Sequence, residues 1–178
     1  MDFIYFWAKD HAWKDDQMNG LGVYKTYFEN GGGFTQAFII AVCAALVLAI
    51  IYYVVIGFIN KRASTLTVWF IMFALSLGGS FFITDVATGI GSNGKSGISK
   101  TQEKIWTDIS EDADDDQKAA HKNMIADFHK GLVKATPVMK VCLTNLVITA
   151  LCYYIFSIIF CLILPASNYA KNHPHKLK

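Results

Sequence analysis

The chain has 178 residues, 53% of them hydrophobic and 17% charged, with a formal net charge of +2. Its apolar residues are concentrated in three runs, and no remaining stretch is long enough for an ordinary enzyme domain, commonly 100 residues or more. The net charge of itself argues nothing about nucleic acid, but no basic block beyond the tail and no interleaved base-stacking pattern is present, so no nucleic-acid partner is expected.

Residues 1–34 hold Phe3, Ile4, Tyr5, Phe6, Trp7, Trp13, Tyr24, Tyr27 and Phe28. Such rings favour the headgroup layer of a bilayer, which predicts an interfacial N-terminal element. Lys9 and Asp10 interrupt any clean apolar face, and Asn19-Gly20 and Asn30-Gly31-Gly32-Gly33 are turn signals that divide the stretch. The acids and aromatics of MDFIYFWAKDHAWKDD do not fit a cleavable leader, so the first apolar run is expected to act as an uncleaved signal-anchor.

Residues 35–90 read as a transmembrane hairpin. The first run covers Ala37 to Ile59 and the second Leu66 to about Ile83. Roughly 20 mostly apolar residues cross a hydrocarbon core of about 30 Å, and backbone amides in lipid must be satisfied internally, which selects helices. Ala41, Ala45 and Ala49 in the first helix, and Ala74 and Gly78 with Ser76 and Ser80 alongside in the second, are small residues at helical spacing. Helices in lipid meet where small residues let backbones approach, so these positions are the expected packing surface, within one chain or between copies. Asp85 closes the second run.

Residues 91–136 form a polar segment that is expected to be partly helical. Gly89-Ile90-Gly91-Ser92-Asn93-Gly94-Lys95-Ser96 satisfies the pattern G-x-x-x-x-G-K-[ST] in every required position. A nucleotide site needs a buried strand before that loop, a helix after it and a sheet around both. A membrane helix precedes the match and no strand-like alternation follows, so no nucleotide is expected there. Asp112, Asp114 and Asp116 alternate like the first half of a calcium loop, but Gln117 stands where the turn glycine belongs and Asn123 where a closing glutamate belongs. The acidic run reads instead as the start of a helix from Asp115 to Ala135, where negative charge meets the positive end of the dipole. Its apolar face is His121, Met124, Ile125, Phe128 and Leu132. His121 and His129 are eight residues and thus about 12 Å apart, too far to chelate one ion unaided.

The third helix, residues 137–165, opens at Thr136-Pro137 and closes at Pro165. Asn145, with Thr144 and Thr149, is its polar feature and is expected to make a helix–helix hydrogen bond. Lys140 near its start is expected to pair with Asp85, because a charge at that depth is costly alone. Cys43, Cys142, Cys152 and Cys161 all lie within the apolar runs, as core-filling small hydrophobes.

The loop Asn60-Lys61-Arg62-Ala63-Ser64 and the tail, residues 166–178 with Lys171, Lys176 and Lys178, are basic without acids. The positive-inside rule then places them in the cytoplasm, with the N-terminus outside. The outer stretches carry ten lysines against thirteen acids over a longer span.

The expected fold is therefore an all-α integral membrane protein of three transmembrane helices. No nucleophile–base constellation, metal cluster or cofactor motif accompanies it. The expected function is a non-catalytic subunit that scaffolds a larger, envelope-spanning secretion- or export-type complex in a bacterial cytoplasmic membrane. Its partners would be lipid and other subunits, docked on Phe3, Phe6, Trp7, Trp13, Ile125, Phe128 and Leu132. The alternative is a homo-oligomeric channel lined by Asn145, Thr144 and Thr149, for which a pore would need polar groups along its length.

Overall fold

A computed structural model describes residues 4–8, 25–57, 65–88 and 136–163, with isolated positions between 97 and 118. The described residues form helices and turns, with no strand among them. Among the described residues, three helices are long and apolar enough to cross a membrane. Helix α1 runs over Gly33–Ile50 and continues as a π-helix over Ile51–Ile56. Helix α2 is Leu66–Thr88 and α3 is Thr136–Ile163. Their apolar spans of 24, 23 and 26 residues reach about 34–39 Å at 1.5 Å per residue, which exceeds a hydrocarbon core of about 30 Å. This is a multi-pass membrane protein.

The helix boundaries follow local chemistry. A one-turn π-helix, Thr26–Asn30, precedes α1 and is closed by the Gly31 amide donating to the Thr26 carbonyl at 2.8 Å. Gly32 then takes φ +70°, a left-handed conformation that a residue with a Cβ rarely adopts, and the chain turns into α1. Helix α1 starts four residues before the apolar run does, because Phe34, Thr35 and Gln36 are all compatible with a helix. Thr65 caps α2: its Oγ1 accepts from the Val68 amide at 3.3 Å and its carbonyl from the Trp69 amide at 3.1 Å.

The chain divides into two compact units, one of residues Met1–Ala37 and Ile83–Thr144, the other of Phe38–Phe82 and Asn145–Lys178. Each helix contributes turns to both. Large apolar side chains such as Ile39, Val47, Phe70, Phe82, Val147 and Leu162 face outward. That is the arrangement expected where lipid replaces water as the surrounding solvent.

Candidate functional site

Each helix turns inward a row of side chains spaced four residues apart. On α1 the row is Ala37, Ala41, Ala45, Ala49 and Tyr53; on α2 it is Ser76, Ser80, Thr84 and Thr88; on α3 it is Val141, Asn145, Thr149, Tyr153 and Ser157, and all are buried. The expected packing positions Ala41, Ala45, Ala49 and Asn145 therefore lie on inward faces.

Ala74 and Gly78 do not. Both are exposed, and a Cβ added at Gly78 or Gly79 would meet nothing within 4 Å. The reason lies on the opposite side of α2. Trp69 and Ser80 on that side find hydrogen-bond partners on α3, whereas alanine and glycine lose nothing by facing lipid. Polar groups, not small volume, decided which side of α2 turned inward.

In the unit of Phe38–Phe82 and Asn145–Lys178, hydrogen bonds join α2 to α3. The Thr149 hydroxyl donates to Ser80 Oγ at 2.8 Å, and the Trp69 indole N–H donates to Ser157 Oγ at 3.2 Å. Ser76 instead donates to its own helix, at the Phe73 carbonyl, 2.7 Å. An aromatic cluster sits on the same faces. The Trp69 ring stacks on Phe73 at 5.5 Å and meets Tyr153 at 5.5 Å, while Tyr53 stacks on Phe160 at 5.5 Å. Ala45 and Ala49 floor this cluster.

Within the π-helical turn Ile51–Ile56 the adjacent Tyr52 and Tyr53 are both buried. Tyr52 donates to the Thr65 carbonyl at 3.2 Å, and Cys161 Sγ lies 4.0 Å from the Tyr53 hydroxyl, to which its thiol donates. The Tyr153 hydroxyl, between the two paired positions Thr149 and Ser157, has no hydrogen-bond partner among the described residues.

In the unit of Met1–Ala37 and Ile83–Thr144, aromatic rings dominate. Tyr5 stacks on Phe34 at 4.9 Å and 14°, Phe34 on Phe28 at 4.8 Å, and Tyr27 meets Phe28 edge-on at 4.9 Å. The Tyr27 hydroxyl donates to Gln36 Oε1 at 2.9 Å. Burial pushes its phenol up to about 12, so it remains a neutral donor across the physiological range. Two glycines make this ring cluster possible. A Cβ on Gly33 would stand 2.6 Å from the Tyr27 ring, and one on Gly97 would overlap that ring's edge and hydroxyl.

The expected pair of Asp85 and Lys140 is replaced by a different contact. Lys140 Nζ lies 5.0 Å from the Trp7 ring centroid, Asp85 is exposed, and no ion pair joins the two. An ammonium over an indole face is stabilised by the ring quadrupole without a carboxylate. Asp85, three residues from the end of α2, reaches the boundary unaided.

Of the expected docking residues, Phe6 and Trp7 are described and exposed, while Phe3, Trp13, Ile125, Phe128 and Leu132 lie outside the described residues. So do the loop Gly89–Ser96, Asp112 and Asp116, and the loop basic residues Lys61 and Arg62. Asp115 is exposed and pairs with Lys118 at 3.6 Å, and the Lys118 amide donates to the Asp114 carbonyl, one turn back, at 3.0 Å. Among the cysteines, Cys142 is buried and Cys152 and Cys161 are partly so, but Cys43 faces outward and fills no core. No protein-family model matches the chain, and no curated protein or solved structure is significantly similar to it.

Proposed function

We propose that the chain is a non-catalytic membrane subunit that scaffolds or anchors a larger complex, of the envelope-spanning secretion or export type, in a bacterial cytoplasmic membrane. The observation that carries this reading is the outward Ala74–Gly78 face of α2, where small residues leave backbone open to approach. In lipid such a notch is the preferred seat for a further helix. The N-terminus lies outside and the C-terminus in the cytoplasm, on the basis of Lys61, Arg62 and the tail lysines.

The alternative, a channel of identical copies, relies on Asn145, Thr144 and Thr149 as a polar lining. Against it, Asn145 and Thr149 are buried within the chain, Thr149 bonds Ser80, and Thr144 donates to its own helix at the Lys140 carbonyl, 2.8 Å. These groups are already engaged internally.

The test is extraction in mild detergent followed by native mass measurement. Different proteins co-isolating in fixed ratio support the scaffold, provided Gly78→Leu releases them while helical content stays unchanged. A ring containing this chain alone supports the channel.

A further inference from the structure

We propose that the turn Ile4–Ala8 and Lys140 together form a site for the phosphate of an anionic membrane phospholipid at the bilayer boundary. The proposal needs only the membrane-spanning helices and holds whether or not the chain is a scaffold subunit.

Three observations converge. Tyr5 is buried and stacked on Phe34, the second residue of α1, so its turn is pinned to the point where a membrane-crossing helix begins. With Tyr5 and Ala8 turned inward, Ile4, Phe6 and Trp7 are turned outward, at 39%, 65% and 46% exposure. Apolar and amphipathic rings at this level belong to the headgroup–acyl boundary, where an indole gains from one wet and one dry side.

The third observation is the charge. Lys140 lies only two residues inside the span Val138–Ile163, between the outward-facing Met139 and Leu143. Its ammonium stands over the Trp7 ring, and among the described residues it has no acidic partner. A ring face stabilises a cation but does not neutralise it, and it covers one side of the ammonium only. A charge beside hydrocarbon needs a counter-ion or a path to water. At this depth in a bilayer the abundant counter-ion is the lipid phosphate, and Trp7 with Phe6 supplies the apolar platform on which the glycerol region rests. Lipid fits this patch better than a docked protein, because the exposed rings, the boundary lysine and the start of α1 all mark the same level.

The test uses the full chain, purified in mild detergent and supplied with phosphatidylglycerol or phosphatidylcholine, with retained lipid counted by native mass spectrometry. Lys140→Gln is expected to lower retained phosphatidylglycerol about fivefold, the size of effect one juxtamembrane basic residue provides, while Lys140→Arg keeps it. A second readout guards against misfolding. The chain, with its four tryptophans, is labelled with 5-fluorotryptophan in nanodiscs, and the Trp7 resonance is assigned by its loss in Trp7→Phe. That resonance should broaden with lipid spin-labelled near the headgroup and resist aqueous gadolinium. Equal phosphatidylglycerol retention in Lys140→Gln overturns the proposal, as does a Trp7 signal blind to the lipid label. Shielding of Trp7 by a stoichiometric polypeptide overturns it in favour of a protein partner.

Discussion

Both compact units of this chain are built on aromatic rings, but in the second, polar pairs between the long helices join them. In the unit containing the N-terminal residues, order comes from large rings brought into close approach: Tyr5, Phe34 and Phe28 stack, Tyr27 meets Phe28 edge-on, and Gly33 and Gly97 leave room for Tyr27. In the other unit, Ala45 and Ala49 let helices approach, and the polar pairs Thr149 with Ser80 and Trp69 with Ser157 bind α2 to α3 beside a larger aromatic cluster of Tyr52, Tyr53, Trp69, Phe73, Tyr153 and Phe160. The contrast follows from solvent. Along helix turns surrounded by lipid, apolar bulk carries no preference for the inside, and side chains with hydrogen-bonding needs choose the face. Near the chain's first turns, amphipathic rings are the natural cement.

The largest effect is expected at Trp69, whose ring and indole N–H both reach α3. Trp69→Ala removes the stacking on Phe73, the contact with Tyr153 and the donor to Ser157. The expected loss is about 3 kcal/mol, the lower end for a buried tryptophan because lipid adds no hydrophobic term. Reversible unfolding in mixed detergent micelles measures it. A loss under about 1 kcal/mol would show that the cluster is filler and that the small-residue rows alone hold the unit.

A smaller effect is expected in the first unit, from adding a single methyl group. Gly97→Ala places a Cβ on the Tyr27 ring edge. Overpacking of this kind costs about 1–3 kcal/mol, because the ring must leave its position or the backbone at 97 must retreat. Hydrogen exchange at the amides of residues 26–36 should rise in the variant, while exchange at 69–80 stays unchanged. A spread of the change to both segments would mean the units are not separately stabilised.

Smaller again is the hydroxyl pair. Thr149→Ala and Ser80→Ala, singly and together, form a cycle whose coupling should fall near 0.6 kcal/mol and no higher than about 1.7, the range of polar pairs inside membranes. Additive effects would remove the bond from the account of how α2 chose its face.

That choice of face is where the sequence was least legible. The three spans, their approximate limits and the inward alanines of α1 could be read directly, because length, apolar content and spacing by four suffice for them. On α2 two rows satisfy the same spacing, Ala74 with Gly78 and Ser76 through Thr88. Spacing cannot rank them. The deciding partners are Ser157 and Thr149, 88 and 69 residues distant from Trp69 and Ser80. The hydroxyl row was nonetheless a usable signal, since four Ser/Thr at strict intervals of four mark one side of an apolar helix, although Ser76 and Thr88 are satisfied by carbonyls of that same helix. The Asp85–Lys140 expectation failed for a similar reason: Trp7 meets Lys140 from far away in sequence, and no local pattern announces an indole as an alternative to a carboxylate.

The substitution expected to cost nothing has the most informative sign. Tyr153 lies on the α3 row between two residues that are paired, and its own hydroxyl is buried without a partner among the described residues. Its ring is well used, packed against Trp69 and Phe73. Tyr153→Phe keeps that packing and deletes only the unsatisfied group, whose burial costs about 1–3 kcal/mol when nothing compensates. Stability should therefore hold or rise by about 1 kcal/mol, in contrast to every other substitution of an inward polar residue considered above. The same micelle unfolding assay reads it. A loss of stability would reveal that the hydroxyl does have a partner in the membrane, and the helix-to-helix pairing of Thr149 and Ser157 would then extend to the position between them.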